Sequence, residues 1–266
     1  MRLVVTGAAG MLGQDVMRVA GGEAVGFTRA ELDVTDPDAV RTAIEPDDVV
    51  INCAAWTDVD GAEEHSDVAM RVNRDGACNV AEVAGRVVHV STDYVFDGSA
   101  REPYVETDAT NPIQQYGRTK LAGELALAQA NTNHLIVRSS WLFGAGGKNF
   151  VETMLALGAE RDELRVVDDQ VGCPTFTGHL AEALVELAQG AERGISHLAG
   201  GGSCSWYEFA GEIFERAGVD CRVIPCSSDE YPRPARRPAW SVLGSMHAEG
   251  LPRWQDGLDA YLGVRA

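Results

Sequence analysis

The stretch Arg2-Leu-Val-Val-Thr-Gly7-Ala-Ala-Gly10-Met-Leu-Gly13 decides the fold of this chain. A short apolar run ends in three glycines at three-residue spacing, and a helical pattern follows to about Ala20. In such a strand, glycine and helix unit, Gly7 permits a tight turn, Gly10 lets a phosphate reach the backbone, and Gly13 lets the helix close on the sheet. Backbone amides and the positive end of the helix would then face a pyrophosphate, so the stretch predicts dinucleotide binding rather than a plain tight turn.

Strand and helix patterns alternate regularly after this unit. Further strands are indicated at 24–27, 48–52, 86–90 and 135–138, and the longest helical patterns lie at 63–84 and 114–131. Short strands that are apolar throughout are typical of a parallel sheet covered on both faces. We therefore predict an α/β fold built on a doubly wound parallel sheet.

The pattern loosens after about Asn149. Helices are indicated at 150–157, 177–189, 205–217 and 254–262, strands at 164–167 and 194–198, and a loop at 168–175. The remainder between 217 and the last helix, with four prolines within 225–238, is predicted to be loop-rich. We predict a dinucleotide-binding domain at 1–148 and a smaller substrate-binding lobe at 149–266, some of whose segments return to the first sheet. A substrate would bind between the two.

Composition excludes several classes of function. A net charge of −18 argues against nucleic acid, which needs a basic face. The sequence shows no charged leader and no apolar run near twenty residues, so we expect a cytoplasmic protein with no membrane partner. The six cysteines form no CxxC motif, which indicates neither a disulfide framework nor a zinc site. Arginine almost wholly replaces lysine, which fits a halophilic source or simply an acidic mesophilic enzyme.

Tyr116 and Lys120 stand four residues apart in a predicted helix, so both project from one face. A cation within a few Å favours the phenolate and lowers the pKa of a tyrosine by roughly one to three units. Such a pair could transfer a proton near neutral pH. The hydroxyl of Thr92 would join it, because it follows an apolar run and would lie at the carboxyl end of a strand. A solvated surface pair is the alternative.

The end of the second strand bears on the choice of nucleotide. Folds that require NAD often carry an acidic residue there, whereas this chain has Thr28 and Arg29. A cation at this place would accept the extra phosphate of NADP, unless Arg29 is a solvated turn residue. Asp33 with Val34 would line an adenine pocket or, alternatively, cap the next helix.

Several longer motifs make the chain resemble the extended short-chain dehydrogenases/reductases, and among them the dTDP-4-dehydrorhamnose reductases. They cover nearly the whole chain in the order of that family. The motifs are the amino-terminal glycines, Asn52-Cys-Ala-Ala55, Ser91-Thr-Asp-Tyr-Val-Phe-Asp-Gly98, Tyr116-Gly-Arg-Thr-Lys120-Leu-Ala-Gly-Glu124, Arg138-Ser-Ser-Trp141-Leu-Phe-Gly144, Asp169-Gln170-x-Gly172-x-Pro174-Thr175, and Arg237-Pro238 before Ser241.

The resemblance implies a Rossmann-type fold that reduces the C4 ketone of a nucleoside-diphosphate 4-keto-6-deoxysugar, most directly dTDP-4-dehydro-L-rhamnose to dTDP-L-rhamnose. Thr92 and Tyr116 would bind the ketone oxygen, and Tyr116 would donate the proton. Lys120 would hold the nicotinamide ribose of NADPH or NADH and tune Tyr116. The cofactor would supply the hydride.

The same resemblance implies the remaining binding residues. The glycine loop with Met11 and Leu12 would lie under the pyrophosphate, and Asp33 and Val34 beside the adenosine. Small and aromatic residues would line the cofactor, namely Ala54, Ala55, Trp56 and Thr57. The sugar nucleotide would contact Asp93, Trp141 and Val59. Separately from the resemblance, the guanidinium of Arg237 is a candidate for the diphosphate of the substrate.

Three points stay open at this stage. Trp56 replaces a more usual His or Tyr and would either narrow the pocket or pack on a loop. Arg237 suits a diphosphate but equally a surface carboxylate. Some family members bind magnesium at a dimer contact; Asp15 could supply one carboxylate, but the other carboxylates are not evident. We therefore expect no required metal, and the homodimer is an expectation from the family alone.

Two other functions compete with the reductase. A nucleotide-sugar epimerase or dehydratase shares Tyr-x-x-x-Lys but retains and recycles its cofactor. A non-catalytic, cofactor-binding regulatory subunit is the other alternative. The presence of Thr92, Tyr116 and Lys120 speaks against the regulatory subunit.

Overall fold

The structure, a computed structural model, describes residues 2–247 and 250–265, apart from the side chains of Glu23 and Arg265. Its strands are β1 Leu3–Thr6, β2 Ala24–Phe27, β3 Val49–Asn52, β4 Arg86–Thr92, β5 His134–Ser139, β6 Leu142–Phe143, β7 Glu163–Val167, β8 Val171–Gly172, β9 Thr175–Phe176, β10 Gly194–His197, β11 Gly200–Gly201, β12 Cys204–Ser205, β13 Arg222–Cys226 and β14 Leu251–Arg253. Its α-helices are α1 Met11–Ala20, α2 Pro37–Ala43, α3 Gly61–Glu64, α4 Ser66–Met70, α5 Ala77–Val83, α6 Gln115–Ala130, α7 Phe150–Gly158, α8 Thr177–Gln189, α9 Trp206–Ala217 and α10 Trp254–Arg265.

Six strands form one parallel sheet in the order β10-β5-β4-β3-β1-β2. The order reverses between β1 and β3, and open α/β sheets bind ligands at that point, outside the carboxyl ends of the strands. The predicted doubly wound parallel sheet is therefore confirmed.

Alternate residues of each central strand enter different apolar cores. Val4, Val50 and Val87 pack on the face covered by α5 and α6, whereas Val5, Ile51 and Val88 pack on the face covered by α1 and α8. Because side chains alternate across a strand, continuous apolar runs are what a sheet buried on both faces requires.

A third core lies in the chain after Asn149. It combines α7, α9 and α10 with the parallel pair β7 and β13, and aromatic rings pack against one another within it. Strand β10 returns to the main sheet beside β5. The domain boundary after residue 148 stays a prediction.

Three local predictions were wrong. The helix predicted at 63–84 is interrupted at His65 and contains a π-helical turn at Arg71–Gly76. The loop predicted at 168–175 contains β8 and begins β9, and β13 lies in a region predicted to be loop-rich. Two-residue strands carry no detectable period, and Pro225 hides the strand character of β13.

None of the helices within the described ranges is long and apolar enough to span a membrane.

Candidate active site

A cavity of about 720 Å³ opens at the carboxyl edge of the sheet, where the two parts of the chain meet. Every residue predicted for cofactor or substrate lines it except Arg237. Those residues are Gly7, Gly10, Met11, Leu12, Gly13, Arg29, Asp33, Val34, Ala54, Ala55, Trp56, Thr57, Val59, Thr92, Asp93, Tyr116, Lys120 and Trp141. Their individual roles stay predictions.

The glycine loop is built for close backbone contact. Gly7 has φ +68°, and a Cβ on it would lie 2.8 Å from the backbone nitrogen of Ala54. A Cβ on Gly13 would lie 2.3 Å from the Gly7 carbonyl oxygen. Among the described residues no side chain caps the start of α1. The amides of its first turn therefore suit the anionic pyrophosphate of a dinucleotide.

Helix α6 carries Tyr116 and Lys120 into the cavity. The Gln114 side chain accepts a hydrogen bond from the Gly117 amide at 2.8 Å and so caps the helix. A Cβ on Gly117 would lie 2.1 Å from the Tyr94 carbonyl oxygen, so glycine lets α6 approach the turn after β4. This approach places the Tyr116 phenol beside the Thr92 hydroxyl at the cavity. The predicted helix and the predicted meeting of these two hydroxyls are both found.

The predicted lowering of the pKa of Tyr116 is wrong, because burial acts in the opposite direction. Burial raises the pKa of this phenol, the Asp93 carboxylate raises it further, and the Thr92 hydroxyl lowers it only in part. Lys120 is not among the groups that lower it, and its Nζ donates instead to the Val90 carbonyl oxygen at 2.7 Å. Tyr116 therefore holds its proton at neutral pH, as a proton donor must.

Lys120 is buried, with 2% of its surface exposed. Burial lowers its pKa to about 8, although Glu124 and Cys53 favour the ammonium. Glu124 is itself held by Arg138 at 2.7 Å and by the Ser91 hydroxyl at 2.5 Å. These contacts fix α6 against β4 and β5 one turn beyond Lys120.

Asp93 is buried beside the two hydroxyls. Burial raises its pKa to about 7, and the nearby hydroxyls of Ser241 and Thr92 lower it in part. Its Oδ1 accepts from the Thr92 hydroxyl at 3.0 Å, whereas no hydrogen bond joins Oδ2 to a described protein group. The Ser139 hydroxyl and the Trp141 indole N–H are also buried without such a partner. Buried polar groups are normally paired, so these three atoms are suited to a polar ligand.

Two stacked indoles form one wall of the cavity. Trp141 follows β5, and Trp206 begins α9 in the other part of the chain; their ring centroids lie 3.4 Å apart at 4°. Trp141 has φ +48°, a conformation that costs a bulky residue of the order of 1–3 kcal/mol. Sequence reasoning missed Trp206, although the capping box from Ser205 to Glu208 would have placed it at an exposed helix start.

Trp56 both lines the cavity and packs on its own loop. Its indole N–H donates to the Asp58 carbonyl oxygen at 2.8 Å, and its edge meets His65. The Asn73 side chain accepts from the Trp56 amide at 2.8 Å and donates to Thr119 on α6 at 2.9 Å. The π-helical turn thus connects the Trp56 loop at the cavity to the helix of Tyr116.

An acid that sequence reasoning missed lies next to the cavity rim at the end of β2. Glu31 accepts from the amide and the hydroxyl of Thr28 at 2.9 and 2.8 Å, while Arg29 is exposed at the rim. Asp33 accepts from the amide and hydroxyl of Thr35, which hold its pKa below the usual value. Asp36, rather than Asp33, caps α2.

Arg237 departs from its predicted role. It is absent from the described cavity lining and pairs instead with Asp60, which also accepts from the Ala235 amide at 3.1 Å. Arg233 lies 3.7 Å from the same carboxylate. The structure agrees with the alternative prediction, in which Arg237 pairs with a carboxylate of the protein.

Lys148 lines the cavity and was also missed. The chain contains two lysines, Lys120 and Lys148, so both lie at this one site. The scarcity of lysine elsewhere was the available signal.

Asp15, the carboxylate offered for a metal, accepts from the Thr177 hydroxyl at 2.5 Å and pairs with Arg18 at 3.0 Å. The prediction that no metal is required stays a prediction.

Residues 1–264 match the family described as the RmlD substrate binding domain. The chain belongs to this family. It is 44% identical over 272 residues to the dTDP-4-dehydrorhamnose reductase of Mycolicibacterium smegmatis, covering 97% of this chain and 83% of that one. The structure of the Clostridium acetobutylicum dTDP-4-dehydrorhamnose reductase is similar with a TM-score of 0.94 at 40% identity, over 100% of this chain and 99% of the other. That of the Bacillus anthracis reductase, in complex with NADP, is similar with a TM-score of 0.94 at 36% identity and the same coverage.

Proposed function

We propose that this cavity reduces the C4 ketone of a nucleoside-diphosphate 4-keto-6-deoxysugar with a hydride from NADPH or NADH. The expected reaction is dTDP-4-dehydro-L-rhamnose to dTDP-L-rhamnose, the activity for which the relatives are named. The chain is an NAD(P)-dependent oxidoreductase of the dTDP-4-dehydrorhamnose reductase type. The observation that carries the proposal is the Thr92 and Tyr116 pair, which shares one cavity with a glycine loop shaped for a dinucleotide.

The residues of the chain divide the chemistry as follows. Thr92 and Tyr116 orient the ketone oxygen, and the protonated phenol of Tyr116 donates its proton to that oxygen as negative charge develops there. The nicotinamide, when bound, supplies hydride to the ketone carbon. Lys120 supplies positive charge behind the reacting groups. The indoles of Trp141 and Trp206 present an apolar wall that excludes water.

The exposed Arg29 supports a preference for NADPH. A guanidinium at the end of β2 suits the additional phosphate, whereas Glu31 is already bonded to Thr28. The NADP in the Bacillus anthracis reductase supports the same preference.

The direct test is net consumption of reduced nicotinamide by the isolated chain with a panel of nucleoside-diphosphate 4-keto-6-deoxysugars. A reductase oxidises one nicotinamide per sugar reduced. An epimerase or dehydratase would convert substrate without net consumption, and a regulatory subunit would convert nothing. Either result would contradict the proposal.

The cytoplasmic location, the homodimer and the halophilic source stay predictions. Full activity and stability without added KCl would contradict the halophilic source.

A further inference from the structure

A row of polar side chains crosses the core directly behind the cavity. Thr6, Asn52 and His89 are neighbours in the parallel register of β1, β3 and β4, and all three are at most 1% exposed. Lys120 of α6 extends the row. We call these four residues the polar row. Because polar groups in an apolar core are costly unless paired, the direction of each hydrogen bond is constrained.

The first half of the row fixes the orientation of Asn52. Its Oδ1 accepts from the Thr6 hydroxyl at 2.7 Å and from the Ala54 amide at 3.1 Å. A backbone N–H can only donate, so this atom must be the oxygen. The Nδ2 of Asn52 therefore faces His89 Nδ1 at 3.1 Å and donates to it.

The second half of the row fixes the tautomer of His89. Burial lowers the pKa of His89 well below its ordinary value, and the charge of Lys120 lowers it further, so the ring is neutral. With Nδ1 accepting, the single ring proton lies on Nε2. That nitrogen lies 3.5 Å from Lys120 Nζ.

An ammonium has no lone pair, so it cannot accept the Nε2–H of His89, whereas a neutral amine can. The opposite tautomer would direct an N–H at the donating Nδ2 of Asn52. Turning the Asn52 amide to avoid this would break its hydrogen bond from the Ala54 amide, which can only donate. We propose that His89 is a positioning residue for Lys120. The Nε2–H of His89 favours the neutral amine of Lys120 and so sets the pH below which the active ammonium forms. The kinetic consequence rests on the proposed reductase function, but the hydrogen-bond arrangement does not.

Other charged or titratable groups also act on Lys120. Glu124 on α6 and Cys53 after β3 both favour the ammonium, and Tyr116 lies one turn before it on the same helix. The Glu124 carboxylate also pairs with Arg138 and accepts a hydrogen bond from Ser91, so its negative charge acts on these groups as well as on Lys120. Burial and the polar row favour the neutral amine instead. The pKa of Lys120, about 8, is consistent with these opposing effects.

The titration of Lys120 tests the inference directly. Protein labelled with lysine carrying ¹³C at the ε position gives two side-chain signals, because the chain has two lysines, and Lys148→Arg assigns them. We expect the Lys120 signal of the wild type to titrate near pH 8. In His89→Leu, which keeps the site apolar, and His89→Asn, which keeps an acceptor for Asn52, it should titrate higher by roughly one pH unit, the size of one hydrogen bond to a titrating group.

Val87→Ala is the matched control. It truncates a buried side chain two residues earlier on the same strand face but leaves the polar row intact, so the Lys120 titration should not move. An unchanged or lowered titration in folded His89 variants would overturn the inference. If neither variant folds, the ¹⁵N signals of the His89 ring in the wild type provide the test. An unprotonated Nδ1 with a protonated Nε2 supports the inference, and the reverse overturns it.

The pH profile of kcat/KM provides the kinetic arm. If the ammonium of Lys120 is the active form, activity falls as pH rises through its pKa, and this alkaline limb should move upward in both His89 variants by the same amount as the NMR titration. If the NMR titration of Lys120 moves but the alkaline limb of kcat/KM stays at the same pH, His89 does not influence catalysis through Lys120. Failure of the wild type to oxidise nicotinamide would instead reject the proposed function and leave the titration result intact.

Discussion

The strand and helix half of the molecule and the part after Asn149 meet the cavity in different ways. The first half presents Thr92, Tyr116 and Lys120 from a strand end and a capped helix, in positions fixed by the register of a six-stranded sheet. The second part presents an indole, Trp206, from a region of separate two-stranded sheets and aromatic packing. In the proposed mechanism, proton transfer therefore depends on residues placed by the sheet, whereas the other part contributes an indole to the cavity wall.

Tyr116→Phe should remove the proton transfer assigned to the first half of the molecule and have the largest effect. Loss of the donated proton should lower kcat by roughly two to four orders of magnitude, while nucleotide affinity stays nearly unchanged. Steady-state rates and binding titrations measure the two effects. Tyr94→Phe, whose ring centroid lies 6.2 Å away, is the control and should retain turnover within about tenfold. Unchanged turnover in Tyr116→Phe would remove this residue from the mechanism.

Gly13→Ala should weaken nucleotide binding by about tenfold or more, because its Cβ would meet the Gly7 carbonyl oxygen at 2.3 Å. The control is Gly211→Ala in α9, where a Cβ meets nothing within 4 Å in the described part of the chain. That change should stabilise the protein by up to about 1 kcal/mol. Equal nucleotide affinity in both variants, measured by titration, would contradict the role of the glycine loop.

Trp206→Ala should test the second part of the molecule alone. Loss of the stack on Trp141 should raise KM for the sugar nucleotide by roughly tenfold, since an aromatic pair contributes about 0.5–1.5 kcal/mol beyond its buried area. The kcat and the nucleotide affinity should change little. Tyr231→Ala, at an exposed aromatic outside the cavity, should change neither constant. A drop in kcat with constant KM would place Trp206 in the chemistry instead.

The smallest effect concerns stability and pH. Burial raises the pKa of Asp93 to about 7, so its folded-state pKa exceeds the unfolded one. Such a group contributes stability below the unfolded pKa and loses it as pH rises through the folded pKa. The free energy of unfolding of the wild type relative to Asp93→Asn should therefore fall between about pH 4 and pH 7. Denaturant unfolding at several pH values measures it, and a pH-independent difference would contradict the burial of an ionisable Asp93.

The sequence was informative where a feature repeats and silent where it depends on a single long-range contact. Apolar runs and the glycine spacing predicted the sheet and one cavity holding Gly7, Thr92 and Tyr116. The pairing of Arg237 with Asp60 spans most of the chain and leaves no local pattern. The raised pKa of Tyr116 could not be predicted either, because it comes from burial and from Asp93 rather than from the neighbouring Lys120.

The polar row illustrates the same limit. Thr6, Asn52 and His89 each look like an isolated polar residue in an apolar run, and only the register of three strands brings them together. The sequence indicated Lys120 through its four-residue spacing from Tyr116, but it did not indicate the His89 imidazole beside Lys120.

The most direct measurement follows the hydride itself. The wild-type chain is incubated with dTDP-4-dehydro-L-rhamnose and NADPH deuterated at the transferred position, and the sugar is analysed by NMR. We expect one deuterium at C4 for each cofactor oxidised, and the same product at a greatly reduced rate with Tyr116→Phe. Conversion of the sugar without deuterium at C4, or without net oxidation of the cofactor, would contradict the assignment of this cavity as a ketone reductase.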